Sequence, residues 1–204
     1  KKSSKESQCF DLLVFCRRDV EKVVIPSYIK EISTNAFNYC KRLVSVRFEP
    51  NSSLQAINHS AFACCFFLKR IVFPESVNKI GNNAFFLISN LRSIKFLGKS
   101  IVMRMNCFSS CQKLEVIAFP NADRLIFGDK SINDVNDEMI IRVKHETQIM
   151  GSGSEDCMRH IRYYGDEDDY ALDLKEVEDD EVKDNSSIDA DLIDQIVEEV
   201  EEED

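Results

Sequence analysis

The chain has 204 residues, of which 44% are apolar, and carries a formal net charge of −10. This size and apolar content suit one or two globular domains, and the longest apolar run, Ala61 to Leu68, is far shorter than the roughly 20 residues of a membrane-spanning helix. The eight cysteines do not by themselves indicate a disulfide framework, because that inference belongs to short secreted chains.

The net charge hides two unlike parts of the chain. Residues 166–204 hold 20 acidic residues against two lysines, a balance of −18. Residues 1–165 hold 16 acidic residues against 24 basic ones, a balance of +8. The sequence therefore predicts a basic folded body followed by an acidic tail.

Residues 1–19 are expected to cap the N-terminal end of the fold. The first five residues, Lys1 to Lys5, are polar and are not followed by the apolar core of a signal peptide. Cys9 to Cys16 is apolar enough to form a helix. A capping unit is needed because stacked repeats expose an apolar face at each end.

Residues 20–143 repeat one pattern, which reads Leu-x-x-Val-x-Phe-Pro and then Ala-Phe-x-x-Cys-x-x-Leu. The spacing between successive copies is 23, 25, 23, 23 and 24 residues. A fixed period in the twenties predicts a solenoid. The last strand residues of the copies are Ile25, Phe48, Phe73, Phe96, Phe119 and Val143.

Each copy divides into a strand and a turn. The first part places alternate residues inward, as a strand does, and proline ends it because it cannot donate to a ladder. The Ala-Phe pair with cysteine three residues later has helical spacing, which predicts a short helix or tight turn opposite. The sequence therefore predicts an α/β solenoid with a parallel sheet of about six short strands. Four phenylalanines should pile into a single column: Phe37, Phe62, Phe85 and Phe108.

This pattern resembles the leucine-rich repeats of the BspA-like type, over roughly Val20 to Val143. The resemblance implies a right-handed solenoid with a parallel sheet. It also implies a non-enzymatic module that binds other proteins, of the surface-antigen and adhesion type found in bacteria and protists. The family implies a location at the cell surface. Because no signal peptide or membrane anchor is seen in the sequence, a cytoplasmic location is the alternative.

The last two segments are expected to differ from the repeats. Residues 144–165 should form a C-terminal cap made of a turn and a short closing element. Residues 166–204 are too charged and too poor in apolar residues to fold alone and are predicted to be disordered. Within them, Ile188 to Val200 carries an apolar stripe at helical spacing that should fold only when a partner receives it.

The cysteines and histidines are the residues best suited to form disulfides, bind metals or act in catalysis. Cys40, Cys65 and Cys111 occupy one slot of the repeat, where we expect buried packing, with a disulfide or a metal as the alternatives. Cys157-x-x-His160 is half of a zinc site. The three histidines have no recurrent polar partner, as nucleophilic catalysis would require. We therefore expect no catalytic residues, no metal and no cofactor.

The outer face of the strands carries the main candidate for a binding site. Five of its nine positions in three central copies are basic, and they should stack into one patch. A solvated surface is the alternative interpretation. Nucleic-acid binding is not expected, because no aromatic residue accompanies the basic ones. The candidate contact residues are Arg47, Lys69, Arg70, Arg92 and Lys95.

The acidic tail suggests two further hypotheses. A flexible segment of 39 residues has a reach of roughly 31–37 Å, enough to cover six strands spanning about 25–30 Å. The tail could thus mask the basic face until a protein partner displaces it. Alternatively, the chain is an intracellular regulator, or a histone-chaperone-like binder of basic proteins that acts through this tail.

Overall fold

The computed structural model describes residues 1–2 and 11–165, which form a solenoid of short parallel strands. Predictions that fall on residues 3–10 or 166–204, the acidic tail among them, lie outside the described residues. The elements are β1 (Leu12–Leu13), β2 (Lys22–Ile25), β3 (Glu31–Ile32), β4 (Ser45–Phe48), β5 (Ala56–Ile57), β6 (Arg70–Phe73), β7 (Lys79–Ile80), β8 (Ser93–Phe96), β9 (Ser100–Met103), β10 (Val116–Phe119), β11 (Arg124–Phe127), β12 (Ile140–Val143), β13 (Gln148–Met150), α1 (Ser154–Met158) and β14 (Ile161–Tyr163).

The main sheet contains the strands that the repeat predicted. Strands β6, β8, β10, β12 and β14 form one parallel ladder, and β2 pairs in parallel with β4 beside it. Paired residues keep the repeat in register, so that Ile71 lies beside Ile94 and Phe73 beside Phe96. The predicted parallel-sheet solenoid is confirmed.

A second parallel sheet, which the sequence analysis did not predict, lies elsewhere on each turn. Its seven strands follow the order β1, β3, β5, β7, β9, β11 and β13. Three of its middle strands are only two residues long, as in Lys79–Ile80, so they contain too few residues to show a period of two. Each of these strands ends in a fully buried isoleucine, Ile32, Ile57 or Ile80.

The Ala-Phe segments are stacked turns. Their alternate amide groups donate to the next turn, as Phe37 donates to the Ala61 carbonyl at 2.8 Å and Phe62 to the Ala84 carbonyl at 2.8 Å. Two residues per turn have positive φ, such as Asn83 at 55° and Leu87 at 54°. This backbone is not helical, so of the two predicted alternatives, a short helix or a tight turn, the turn is correct. The alanine-phenylalanine pair and the cysteine three residues later point inward from one turn, which produces the same spacing as a helix.

The phenylalanines form two adjacent columns inside the solenoid. In the first, Phe62 stacks on Phe85 with ring centroids 5.6 Å apart and nearly parallel planes. In the second, Phe73 stacks on Phe96 at 5.0 Å, and edge-on contacts such as Phe73 to Phe85 at 5.5 Å join the two columns. The predicted column is confirmed, since its members all stack in order: Phe37, Phe62, Phe85 and Phe108.

The N-terminal helix predicted over Cys9 to Cys16 is wrong for the part that the structure describes. Leu12–Leu13 forms β1, which pairs in parallel with Glu31–Ile32 at the edge of the second sheet. The sequence misled because a short apolar run fits a buried helix and a strand equally well. The second sheet, which decides between them, was not predicted.

Residues 144–165 continue both sheets. Gln148–Met150 pairs with β11, and Ile161–Tyr163 pairs with β12. Between them lies α1, Ser154–Met158, the one helix among the described residues. The strand β14 departs from the Leu-x-x-Val-x-Phe pattern, with Tyr163 in place of phenylalanine, which hid it from the repeat count. None of the described residues lies in a helix that is long and apolar enough to cross a membrane.

The main sheet has a break between β4 and β6. Among the described residues, no ladder hydrogen bonds join these two strands, although their neighbours pair regularly. The break coincides with Pro50 to Ser53, the turn that makes this copy two residues longer than most others. Here Phe48 meets Phe73 with ring planes tilted by 49°, whereas Phe73 and Phe96 differ by 9°. The second sheet runs through this point without interruption, through β3, β5 and β7.

Candidate interaction surface

Alternation along β4, β6 and β8 produces the outward face. Val46, Ile71 and Ile94 point inward and are buried, while the residues on either side point away from the core. Because the strands are parallel and in register, outward residues of successive strands form rows across the sheet. The sequence places basic side chains in several of these rows.

The five predicted residues all lie on or beside these three strands. Arg47, Lys69, Arg70 and Arg92 are exposed, and Lys95 is half-buried. Lys69 and Arg92 are adjacent, because the Arg92 amide donates to the Lys69 carbonyl at 2.8 Å. The structure therefore gathers them on one side of the solenoid.

The five side chains do not form one continuous line of like charge. Arg70 lies beside Ser93, and Val72 lies beside Lys95. An Arg92 guanidinium nitrogen contacts a Glu115 carboxylate oxygen at 2.7 Å, with both side chains about half exposed. Apart from Lys69 beside Arg92, basic residues here have neutral or acidic neighbours, which reduces the repulsion that a stack of lysines and arginines would suffer. In the described part of the chain, Lys69 and Arg70 form no ion pair.

Valine side chains share this face with the basic residues. Val72 is 47% exposed and Val24, on β2, is 61% exposed. Val24 lies beside Arg47, so apolar and basic side chains alternate across the first strands. We refer to Arg47, Lys69, Arg70, Arg92 and Lys95 together with Val24 and Val72 as the outer patch.

The outer patch occupies the N-terminal half of the main sheet. Farther along, the outward residues Val116, Ala118 and Arg142 are each less than a tenth exposed. The Arg142 guanidinium lies 5.9 Å from the centre of the Tyr164 ring. The sequence analysis did not identify Arg142 and its neighbour Arg162 as outward residues, because the copies of the repeat that contain them match the pattern poorly.

The repeated cysteines are packing residues in the structure. Cys65 donates its thiol to the Phe37 carbonyl at 3.1 Å, and Cys111 donates to the Phe85 carbonyl at 3.0 Å. Burial raises the pKa of the Cys111 thiol to about 12 and that of Cys65 well above its ordinary value. Protonated thiols are poor nucleophiles and poor metal ligands, so the slot selects cysteine as a small donor to the neighbouring turn.

Two of the histidines, His160 and His59, make local contacts within the solenoid. His160 is buried, with Nδ1 at 2.7 Å from the Met139 carbonyl and Nε2 accepting from Arg159 at 2.9 Å. The His59 Nε2 atom lies 3.2 Å from the hydroxyl oxygen of the neighbouring Ser60. Within residues 1–2 and 11–165, no three histidine, cysteine, aspartate or glutamate side chains come together as a metal site would need.

Comparison with protein families identifies the repeat. A family described as "BspA type Leucine rich repeat region" matches residues 11–134 in six copies. The match begins at Asp11, so it includes β1 as part of the repeat region. Comparison with curated proteins gives no significant match.

Three solved bacterial structures are similar to this chain. A leucine-rich repeat protein of T. pallidum is 23% identical with a TM-score of 0.49, and the match covers 65% of this chain and 60% of the T. pallidum chain. A leucine-rich repeat protein from Bacteroides ovatus is 19% identical with a TM-score of 0.38, covering 72% and 56%. The pneumococcal vaccine antigen PcpA is 16% identical with a TM-score of 0.35, covering 65% and 54%. The chain thus spans less than two thirds of the length of each.

Proposed function

This chain belongs to the BspA-type leucine-rich repeat family, and from that premise we propose that it is a non-enzymatic module that binds a protein partner through the outer patch. Stacked-repeat folds of this kind are typical of protein–protein interaction, because they present a long row of side chains on a rigid sheet. The proposal places the partner contacts at Arg47, Lys69, Arg70, Arg92 and Lys95.

One observation carries this proposal. Exposed arginine and lysine side chains surround Val72, which is itself 47% exposed, on three neighbouring strands. Protein interfaces are enriched in arginine and have an apolar centre, and exposed valine among basic side chains fits that composition. The partner surface that fits such a patch is acidic with apolar side chains among the carboxylates.

Charge reversal tests the proposal directly. The full chain with Arg70→Glu and Arg92→Glu is compared with wild type for binding to immobilised poly-glutamate, as the simplest acidic polypeptide, at low and physiological salt. We expect at least tenfold weaker binding at low salt. The matched control reverses Lys79 and Arg124, which are exposed on the second sheet, and should bind as wild type does. Equal losses in both double variants would contradict a site on the outer patch.

The proposal extends to the acidic residues 166–204. With a charge of −18 they compete with any acidic partner for a basic face, so they mask the outer patch until the partner displaces them. Removing residues 166–204 should strengthen binding to heparin and to poly-glutamate, most strongly at low salt. Unchanged binding would remove the masking part and leave the outer patch untouched. The alternative, a binder of basic proteins through this tail, predicts that the isolated tail binds histones and that the solenoid is dispensable.

A further inference from the structure

Cys16 and Cys40 bring two thiols together at the N-terminal end of the solenoid. Cys16 is half-buried and packs against the core cluster that contains Cys40. Its amide donates to the Ala36 carbonyl at 2.9 Å, and the Cys40 sulfur lies 3.6 Å from the carbonyl of Arg17, the next residue. The Cys16 backbone and the Cys40 side chain therefore lie close together at this end of the solenoid.

An arginine completes this cluster. Arg18 Nη1 lies 3.6 Å from the Cys40 sulfur and is oriented as a hydrogen-bond donor to it. A guanidinium in this position stabilises a thiolate at Cys40 and therefore favours attack by that sulfur. Arg18 thus donates to the Cys40 sulfur beside Cys16, whereas the Cys65 and Cys111 thiols are hydrogen-bonded to backbone carbonyls.

Access makes Cys16 the point at which oxidation would begin. The other six described cysteines are buried, and only Cys16 is partly exposed. Cys65 neighbours Cys40 on the next turn, but it is 0% exposed and its thiol is hydrogen-bonded to the Phe37 carbonyl. A small disulfide can therefore reach Cys16 and cannot reach Cys65 without unfolding several turns.

We propose that Cys16 and Cys40 form a disulfide under oxidising conditions and that this bond locks the N-terminal segment onto the first turns of the solenoid. The oxidant is a small-molecule disulfide such as oxidised glutathione. The Cys16 thiolate attacks one glutathione sulfur and releases a glutathione thiolate, which takes up a proton. The Cys40 thiolate then attacks the Cys16 sulfur and releases the second glutathione, so that one disulfide is consumed and one is formed.

The pH dependence of this reaction follows from the surroundings of both sulfurs. Burial raises the pKa of the Cys16 thiol, and the neighbouring Cys40 thiol raises it further. Burial also raises the pKa of the Cys40 thiol, partly offset by Arg18. Because only thiolates react, the disulfide should form faster as the pH rises above neutrality. This inference is independent of the proposed binding function.

The test uses the full chain carrying Cys9→Ser, since Cys9 lies outside the described residues. The protein is incubated with oxidised glutathione, alkylated, digested and examined by mass spectrometry. We expect a Cys16–Cys40 cross-linked peptide as the main product and none in the same protein carrying Cys16→Ser. A persistent glutathione adduct on Cys16, a Cys40–Cys65 bond or unreacted protein would each overturn the proposal.

Limited proteolysis tests whether the disulfide holds the N-terminal segment on the solenoid. Arg17 and Arg18 are exposed and lie between the two cysteines, so mild trypsin treatment should cut there. In the oxidised protein the N-terminal fragment should remain attached in a non-reducing gel and separate once reductant is added. Separation without reductant would show that no such bond holds it. Circular dichroism of the Cys16→Ser variant checks that the loss of cross-linking does not come from misfolding.

Discussion

The inner and outer faces of the main sheet use the same strands but follow different rules. On the inner face each turn repeats the last in almost the same residue type, and Phe73, Phe96 and Phe119 stack in one line. On the outer face the residue type differs between many neighbouring strands, as between Val24 and Arg47 or between Val72 and Lys95. The comparison shows that the period constrains only the side chains that must fill the space between turns. The outer residues are left to serve recognition.

The largest expected effect comes from the packed interior of the solenoid, in the phenylalanine column of the stacked turns. Phe85→Ala should lower the free energy of unfolding by about 3–5 kcal/mol, because a fully buried ring between two stacked neighbours cannot be replaced by collapse of the turns. Phe37→Ala should cost less by about 1 kcal/mol or more, since among the described residues Phe37 stacks only on Phe62. Urea titration of both variants measures the difference. Equal losses of unfolding free energy in the two variants would show that Phe37, at the end of the column, contributes as much to stability as Phe85.

A second substitution tests how rigid the spacing between turns is. Gly98→Ala should lower the free energy of unfolding by about 1–3 kcal/mol, because the new Cβ would lie 2.2 Å from the Val77 carbonyl oxygen. Differential scanning calorimetry would show this as a lower melting temperature. A variant as stable as wild type would mean that the neighbouring turn moves aside freely. The regular stacking of the inner face would then be looser than the contacts imply.

Substitutions on the outer face should leave stability almost unchanged. Val72→Thr keeps a β-branched side chain of similar size on an exposed strand position, so the free energy of unfolding should stay within about 0.5 kcal/mol. Urea titration measures this, with the buried Ile71→Thr as the matched control that should be much less stable. A large loss at Val72 would break the distinction between the two faces.

The smallest effect concerns an ion pair between turns. Lys144 donates to the Asp123 carboxylate at 2.6 Å and lowers the pKa of that carboxyl group. Because the folded-state pKa lies below the unfolded one, the pair's small contribution is present above the unfolded pKa and is lost as the pH falls through the folded one. Lys144→Gln should raise the pKa of Asp123 in an NMR titration. The pKa of Asp19, lowered by Arg17, should not change.

The sequence predicts those parts of the fold that recur with strong apolar side chains. Copies ending in Phe73, Phe96 and Phe119 are unmistakable, and their strands and ring columns lie where the period placed them. The strands Ala56–Ile57 and Lys79–Ile80 are too short to show alternation, and their pairing depends on a distant part of the chain. They could be recognised only once the stacking was known.

The candidate site was predictable to the same limited degree. Alternation alone places Arg47, Arg70 and Lys95 on the outward side of their strands, where the structure has them. The pairing of Arg92 with Glu115 depends on the direction of two side chains on neighbouring turns. Single positions in a repeat carry no such information. Whether these five residues contact a partner stays a prediction.

The break between β4 and β6 has a mechanical consequence. A solenoid of parallel strands resists extension along its axis because many backbone hydrogen bonds between turns must break together. Between β4 and β6 the main sheet lacks these hydrogen bonds, so fewer of them hold the turns together at this point. Stretching the molecule from its ends should part it first between Phe48 and Phe73, with the uninterrupted second sheet as the hinge. The outer patch extends across this break, so a partner that binds Arg47 and Lys95 at the same time would also hold the two parts of the main sheet together.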